Sequence, residues 1–166
     1  MAEPTPEQRA AADPLASVWV GANAGSGKTR VLTQRVARLL LAGAAPERIL
    51  CLTYTKAAAA EMQNRLFSTL GEWAMMPEHD LGRQLAALEG APAPVRGDRI
   101  AEARRLFAKA LETPGGLRIQ TIHAFAGALL RRFPLEAGVS PRFSEADDRQ
   151  AALLRDAIRE EMARAA

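Results

Sequence analysis

The chain has 166 residues, is 48% hydrophobic and carries a formal net charge of +3. That length suffices for one cored domain, or one domain with a subdomain, and so small a basic surplus neither requires nor excludes a nucleic-acid partner. Cys51 is the only cysteine, which excludes an intramolecular disulfide, and no apolar run approaches the ~18 residues of a membrane span. With no basic or apolar leader pattern in Met1-Ala2-Glu3-Pro4, a soluble, cytoplasmic protein without a membrane partner is expected.

In chain order, Thr5-Pro6-Glu7-Gln8 opens a short helix that Pro14 closes. Thr5 suits the cap, Pro6 the first helical position and Gln8 the third, which makes a capping box. A second reading of Gln8 is open: a glutamine just upstream of a phosphate loop can donate to N7 of adenine and accept from its N6 amino group. Ser17-Val18-Trp19-Val20 reads as a short strand, followed by Ala22-Asn23-Ala24-Gly25-Ser26-Gly27-Lys28-Thr29 and a helical pattern. A glycine-rich loop between strand and helix is the setting of a phosphate cradle. Gly25 and Gly27 allow backbone N–H groups to turn inward on an anion, and the helix start adds its positive dipole end. Lys28 supplies a point charge for β/γ-phosphates and Thr29 a hydroxyl for Mg²⁺; these two are the candidate catalytic residues. The generic pattern has Gly where this chain has Ala22, and a glycine-rich turn that binds nothing is the bland alternative.

Leu32, Val36, Leu39 and Leu40 mark one face of the following helix, which Gly43 and Pro46 end. Ile49-Leu50-Cys51-Leu52 reads as a strand of a parallel sheet buried on both faces, completing a right-handed βαβ unit. Thr53-Tyr54-Thr55-Lys56 lies at its carboxyl end, the edge where ligands of open α/β sheets collect. A helix over 57–70 follows, with Ala59, Met62, Leu66 and Leu70 inward. Trp73, Met75, Met76 and Pro77 read as a packed loop, Leu81, Leu85 and Leu88 as a short helix, and 98–111 as a second helix with Leu106, Phe107, Ala110 and Leu111 on one face. Together these form a helical insertion with a solvated outer surface. Residues 117–121 read as another strand, and Ile122, Phe125, Ala126, Leu129, Leu130 and Phe133 as the apolar face of its helix. His123 at that junction is either a helix-start residue with satisfied hydrogen bonds or a ligand-edge residue; no paired spacing supports zinc. The last helix, over 148–164, ends without a Gly cap or Pro stop and so looks cut.

Gln8 in Thr5-Pro6-Glu7-Gln8-Arg9, the loop from Ala22 to Thr29, Leu52-Thr53-Tyr54-Thr55-Lys56-Ala57-Ala58-Ala59-Ala60-Glu61-Met62, and Thr121-Ile122-His123-Ala124-Phe125 occur in the order found in superfamily 1A DNA helicases. The chain therefore resembles that group, of the UvrD/PcrA/RecB type. The segments from Pro114 to Phe125 and from Leu130 to Val139 resemble in particular the N-terminal part of the AddA family of helicase-nucleases. The resemblance implies a partial RecA-like P-loop NTPase fold, an α/β domain with a parallel sheet. Its core would be 1–70, with a helical insertion over 71–116, a return to the core over 117–134, and the start of a 1B-like helical subdomain over 135–166.

It also implies ATP and Mg²⁺ as cofactors, held by Gln8, Ala24, Gly25, Ser26, Gly27, Lys28, Thr29 and Arg30, with Arg30 beside the adenine and Thr29 on the metal. Ala22 is common in the group. Thr53, Tyr54, Thr55, Lys56, Thr121, His123 and Phe125 match motifs that line the single-strand path, and an aromatic such as Tyr54 stacks on bases at typically ~1–3 kcal/mol each. The implied function is an ATP-dependent helicase in double-strand-break repair. Its implied partners are single- and double-stranded DNA and an AddB-like protein. No Asp-Glu pair follows an apolar strand downstream of the loop, so the carboxylates that position the attacking water are not expected on these residues. The residues alone are expected not to hydrolyse ATP usefully, and a sheet without that strand should leave an open edge and an apolar patch. The alternative is a nucleotide- or DNA-binding module without helicase activity.

Overall fold

Threonine side chains cap two of the helix starts, at Thr5 and Thr55. In the computed structural model, which describes residues 4–23, 25–146 and 148–165, Thr5 and Gln8 form the expected capping box at the head of α1 (Pro6–Ala11). Gly27, at a φ of 86°, precedes α2 (Lys28–Leu41). A 3₁₀ turn at Pro46–Arg48 leads into β1 (Leu50–Thr53). Thr55 then caps α3 (Lys56–Met75), accepting from the Ala58 N–H at 3.1 Å. Next come α4 (Glu78–Glu89), closed by Gly90 at a φ of 73°, and α5 (Asp98–Glu112). The chain continues through β2 (Arg118–Thr121), α6 (Ile122–Arg132) and α7 (Asp148–Ala165).

Two compact units result, Met1–Ile122 and His123–Ala166, so the division falls at the head of α6. In the first, β1 and β2 are parallel neighbours, with Leu50 opposite Arg118, Cys51 opposite Ile119, Leu52 opposite Gln120 and Thr53 opposite Thr121. Alternation along a strand sends Cys51 and Ile119 to the same face, and both are buried in the core with residues of α2, α3, α4 and α5. Leu66, Leu70, Leu81 and Leu85 are wholly buried there. Phe67 and Phe107 meet edge to face between α3 and α5, their centroids 6.3 Å apart. Arg99 ties the helix ends together, donating to the Leu41 carbonyl at 2.6 Å and pairing with the Glu89 carboxylate.

Five expectations are corrected. Ser17–Val20 forms no strand: Val18, Trp19 and Val20 are exposed and have no ladder partner among the described residues. An extended segment becomes a strand only through a neighbour's hydrogen bonds, and β1 and β2 pair with each other. Nor is β1 covered on both faces, since Leu50 and Leu52 are about 40% exposed. The inward face of α2 includes the predicted Val36 and Leu40 but adds Val31, Thr33, Ala37 and Leu41, whereas Leu32 is exposed. Trp73 belongs to α3, which runs to Met75, not to a loop; its burial closes the cluster and Pro77 stops the helix. At the far end of α5, Leu111 is exposed while Leu106 and Ala110 face inward.

In the second unit, Arg131 pairs with Glu145 at 3.0 Å and lies over the Phe143 ring at 5.4 Å. A Cβ on Gly127 would come 2.5 Å from Glu145 Oε1, so the small residue admits this packing. Along α7, Leu154, Ile158 and Met162 recur on one side as predicted, and all are exposed.

Candidate functional site

The loop ahead of α2 has the backbone that its glycines allow. Gly25 and Gly27 take φ values of 79° and 86°, left-handed conformations that cost other L-residues roughly 1–2 kcal/mol. Ser26 is tied back by its N–H and its hydroxyl to the Asn23 carbonyl, at 3.4 and 2.7 Å. The Lys28 ammonium folds over the loop and donates to the carbonyls of Ala22 (2.7 Å) and Asn23 (2.6 Å). Gly27 makes no side-chain cap, so the first turn of α2 directs main-chain N–H groups and its positive dipole end at the loop. Thr29 is half-buried in that turn; its carbonyl accepts from the Thr33 hydroxyl at 2.9 Å. Ala24 lies outside the described residues.

Gln8 takes the capping role and also lies beside the loop. Its Oε1 accepts from the Thr5 N–H at 3.2 Å while its own N–H donates to the Thr5 hydroxyl at 3.3 Å, completing the capping box. A Cβ on Gly27 would lie 3.5 Å from Gln8 Nε2, so the amide nitrogen rests against the loop. Glu7, one residue before, has its carboxyl held below the ordinary range by a main-chain hydrogen bond and by the Thr5 hydroxyl. Arg30 is half-buried and lines a groove among α2, α3 and α4, with Pro4, Thr33, Trp73 and Gln84 on the same lining.

Two residues that the sequence did not single out join α1 to α2. Arg35 donates to the carbonyls of Ala11 (3.4 Å), Asp13 and Ala16 (2.6 Å). Arg38 donates to the Arg9 carbonyl at 3.0 Å and approaches the Asp13 carboxylate at 4.0 Å. In sequence they look like the solvated face of a helix; a signal was available in their three-residue spacing, which puts both on one side of α2.

At the sheet's carboxyl edge, Thr53 and Thr121 are opposite one another in register. Thr121 is buried and Thr53 half-buried, its hydroxyl donating to the Thr55 carbonyl at 3.0 Å. Tyr54 is 79% exposed, with Thr55 and Lys56 exposed beside it. His123, exposed, and Phe125, half-buried, belong to the second unit. The first unit thus brings together Thr53, Tyr54, Thr55, Lys56 and Thr121, and separately Gln8 with Gly25 to Thr29.

Chemically, the loop offers main-chain donors, one ammonium and a hydroxyl converging ahead of a helix, a donor set that fits a polyphosphate. Among the described residues, no cluster of three or more His, Cys, Asp or Glu side chains could hold a metal ion. Thr29 alone fits Mg²⁺ only as one ligand beside phosphate oxygens. No helix of the described residues is long and apolar enough to cross a membrane.

The sequence is similar to those of known proteins. The AddA protein of Desulfitobacterium hafniense, named as an ATP-dependent helicase/nuclease, is 34% identical over 161 residues, covering 95% of this chain and 10% of that protein. The proteins of the same name from Desulforudis audaxviator and Enterococcus faecalis are 36% identical over 148 residues and 33% over 150; each match covers 87% of this chain and 10% of the relative. The chain therefore spans about a tenth of the length of these relatives. Residues 4–165 match the UvrD/REP helicase N-terminal domain, and the chain belongs to that family.

Proposed function

We propose that these residues are the ATP- and single-stranded-DNA-binding module of an ATP-dependent DNA helicase, a helicase-nuclease working with an AddB-like partner in double-strand-break repair. The observation that carries this reading is the loop itself: two left-handed glycines, the Lys28 ammonium drawn over the loop carbonyls, and the Gln8 amide against Gly27. Family membership supports it.

In this reading, residues 1–70 and 117–134 belong to a RecA-like P-loop core, 71–116 are a helical insertion, and 135–166 begin a 1B-like subdomain. Lys28 exchanges the carbonyls of Ala22 and Asn23 for β- and γ-phosphate oxygens, an exchange of neutral acceptors for charged ones. Ser26, Gly27 and the first N–H groups of α2 surround the phosphates, Gln8 and Arg30 meet the adenine, and the Thr29 hydroxyl is held ready for Mg²⁺. The metal, when bound with ATP, supplies neutralisation of phosphate charge. Tyr54 offers a stacking face to a base, Lys56 attracts phosphate, and Thr53, Thr55 and Thr121 stand beside them; His123 and Phe125, in the second unit, are DNA contacts by their motif. Within 166 residues no Asp-Glu pair follows an apolar strand after the loop, so these residues alone bind nucleotide without useful turnover.

The test is Lys28→Ala in the full-length protein, with translocation and DNA binding measured side by side. ATP-driven movement should disappear while salt-sensitive DNA binding persists; movement retained by the variant refutes the assignment. For the 166 residues alone, ATP binding abolished by the same change supports the NTPase module. Binding of single-stranded DNA with no nucleotide binding by the wild type would leave only a DNA-binding module.

A further inference from the structure

Helix α1 has six residues and buries none of them, far below the length at which a helix persists in water on its own. Yet it carries Gln8, whose Nε2 rests against Gly27. Something outside the helix must fix its place. The C-terminal turn of a helix leaves carbonyls without intrahelical donors and gathers negative partial charge. Onto this end come the guanidinium groups of Arg35, shared among the carbonyls of Ala11, Asp13 and Ala16, and of Arg38, on the carbonyl of Arg9. Asp13 is itself fixed in its turn, accepting the Leu15 N–H at 3.0 Å and lying 4.0 Å from Arg38.

We propose that Arg35, assisted by Arg38, is a positioning residue for base recognition, holding α1 so that Gln8 stands in register with the phosphate loop. This rests on the nucleotide reading given above. The connection is mechanical: Arg35 lies seven residues along α2 from Lys28, or about two helical turns, so loop and clamp are parts of one rigid helix. The phosphates are gripped by the head of α2, and the base is met by a residue on α1 that α2 itself holds in place. Arg suits this task because its planar, permanently charged fork holds several donors in one fixed geometry, whereas a lysine offers a compact point charge on a flexible stem. Loss of the clamp frees α1 and separates two functions: phosphate binding stays with the loop, whereas discrimination among bases is lost.

The experiment titrates ATP, GTP and inorganic tripolyphosphate into the wild type, Arg35→Ala, Arg35→Lys, Arg38→Ala, Gln8→Ala and the double variant Gln8→Ala/Arg35→Ala, with folding checked by circular dichroism. Arg35→Ala is expected to weaken ATP about tenfold, the scale of one bidentate amide-adenine contact, while GTP and tripolyphosphate affinities hold. The double variant should be no weaker than Gln8→Ala alone, because both changes remove one interaction. Arg35→Lys should restore part of the preference, and Arg38→Ala should lose part of it; if Arg35→Ala does not fold, these two decide the matter. An unchanged ATP-to-GTP ratio in variants that lack the clamp, beside a lowered ratio in Gln8→Ala, overturns the positioning role and leaves the nucleotide site standing. Equal weakening of all three ligands also overturns it, as general loosening of α2. Failure of the wild type to bind ATP overturns the nucleotide reading, and the positioning role with it.

Discussion

Replacing Gly82 with alanine sets two effects of opposite sign against each other. Gly82 lies inside α4 and is buried, where propensity alone favours alanine over glycine by about 1 kcal/mol. The fold reverses that preference. A Cβ at Gly82 would come 2.4 Å from the Val95 carbonyl oxygen, against an ordinary contact of 3.4–4 Å, and the obstacle is main chain that cannot rotate away. Overpacking of this kind costs typically ~1–3 kcal/mol. The displacement also disturbs the hydrogen bond from the Val95 N–H to the Gly82 carbonyl, 3.0 Å long, worth a further ~0.5–1.5 kcal/mol. Gly82→Ala should therefore destabilise by roughly 2 kcal/mol. Gly71 in α3 is the internal control: a Cβ there meets only the Phe107 ring, at 3.5 and 3.7 Å, so Gly71→Ala should gain about 0.5–1 kcal/mol. Urea unfolding followed by Trp73 fluorescence, in a Trp19→Phe background, reads both, because Trp73 is wholly buried and Trp19 almost fully exposed. A Gly82→Ala midpoint at or above that of the parent, with unchanged denaturant dependence, refutes the close approach of the 95 segment to α4.

Three further outcomes are expected. Tyr54→Ala should weaken single-strand binding by ~1–3 kcal/mol irrespective of sequence, whereas Lys56→Ala should lower the salt dependence by about one unit of slope; anisotropy titrations at several salt concentrations distinguish the two, and unaffected binding in both variants removes this edge from the DNA path. Burial pushes the Cys51 thiol pKa up. Stability drawn from keeping it neutral is intact below the unfolded thiol's ionisation near ~8.5 and is lost as pH rises from there through the folded pKa. The unfolding midpoint should fall over that alkaline range in wild type more than in Cys51→Ala, and native Cys51 should react with Ellman's reagent much more slowly than in urea; equal pH slopes or equal rates contradict the assignment. The exposed run of Leu15, Val18, Trp19 and Val20, with the open face of Leu50 and Leu52, predicts self-association of the 166-residue chain that Trp19→Ser reduces. A monomer in sedimentation at high concentration would count against it.

Local chemistry accounts for what was legible early. The capping box at Thr5 and Gln8, the strand at Cys51, the short helix of Leu81, Leu85 and Leu88, and the inward line Ala59, Met62, Leu66 and Leu70 all follow from turn residues and periodicity acting within a few positions. The motif order also identified the family. Trp73 was misplaced although it lies three residues beyond Leu70 and so continues the inward line of α3; Gly71 and the nearby Pro77 suggested a helix end that packing against the cluster overrides. On α2 the expectation held for Val36 and Leu40 and failed for Leu32: Leu32 and Val31 are both apolar, and the elements packed around α2 decide which one turns inward.

By itself the sequence determined the glycine backbone of the loop, the identity of Lys28 and Thr29, and the places of most helices, since propensity, capping and left-handed glycines operate over a few residues. Tertiary structure decided the rest. It left Ser17–Val20 exposed and outside the sheet, set Thr53 beside Thr121 through register, and brought the Gln8 amide onto Gly27. It also turned two ordinary arginines of α2 into the clamp on α1, because the carbonyls they reach lie 19 to 29 positions away along the chain, a distance that only folding closes.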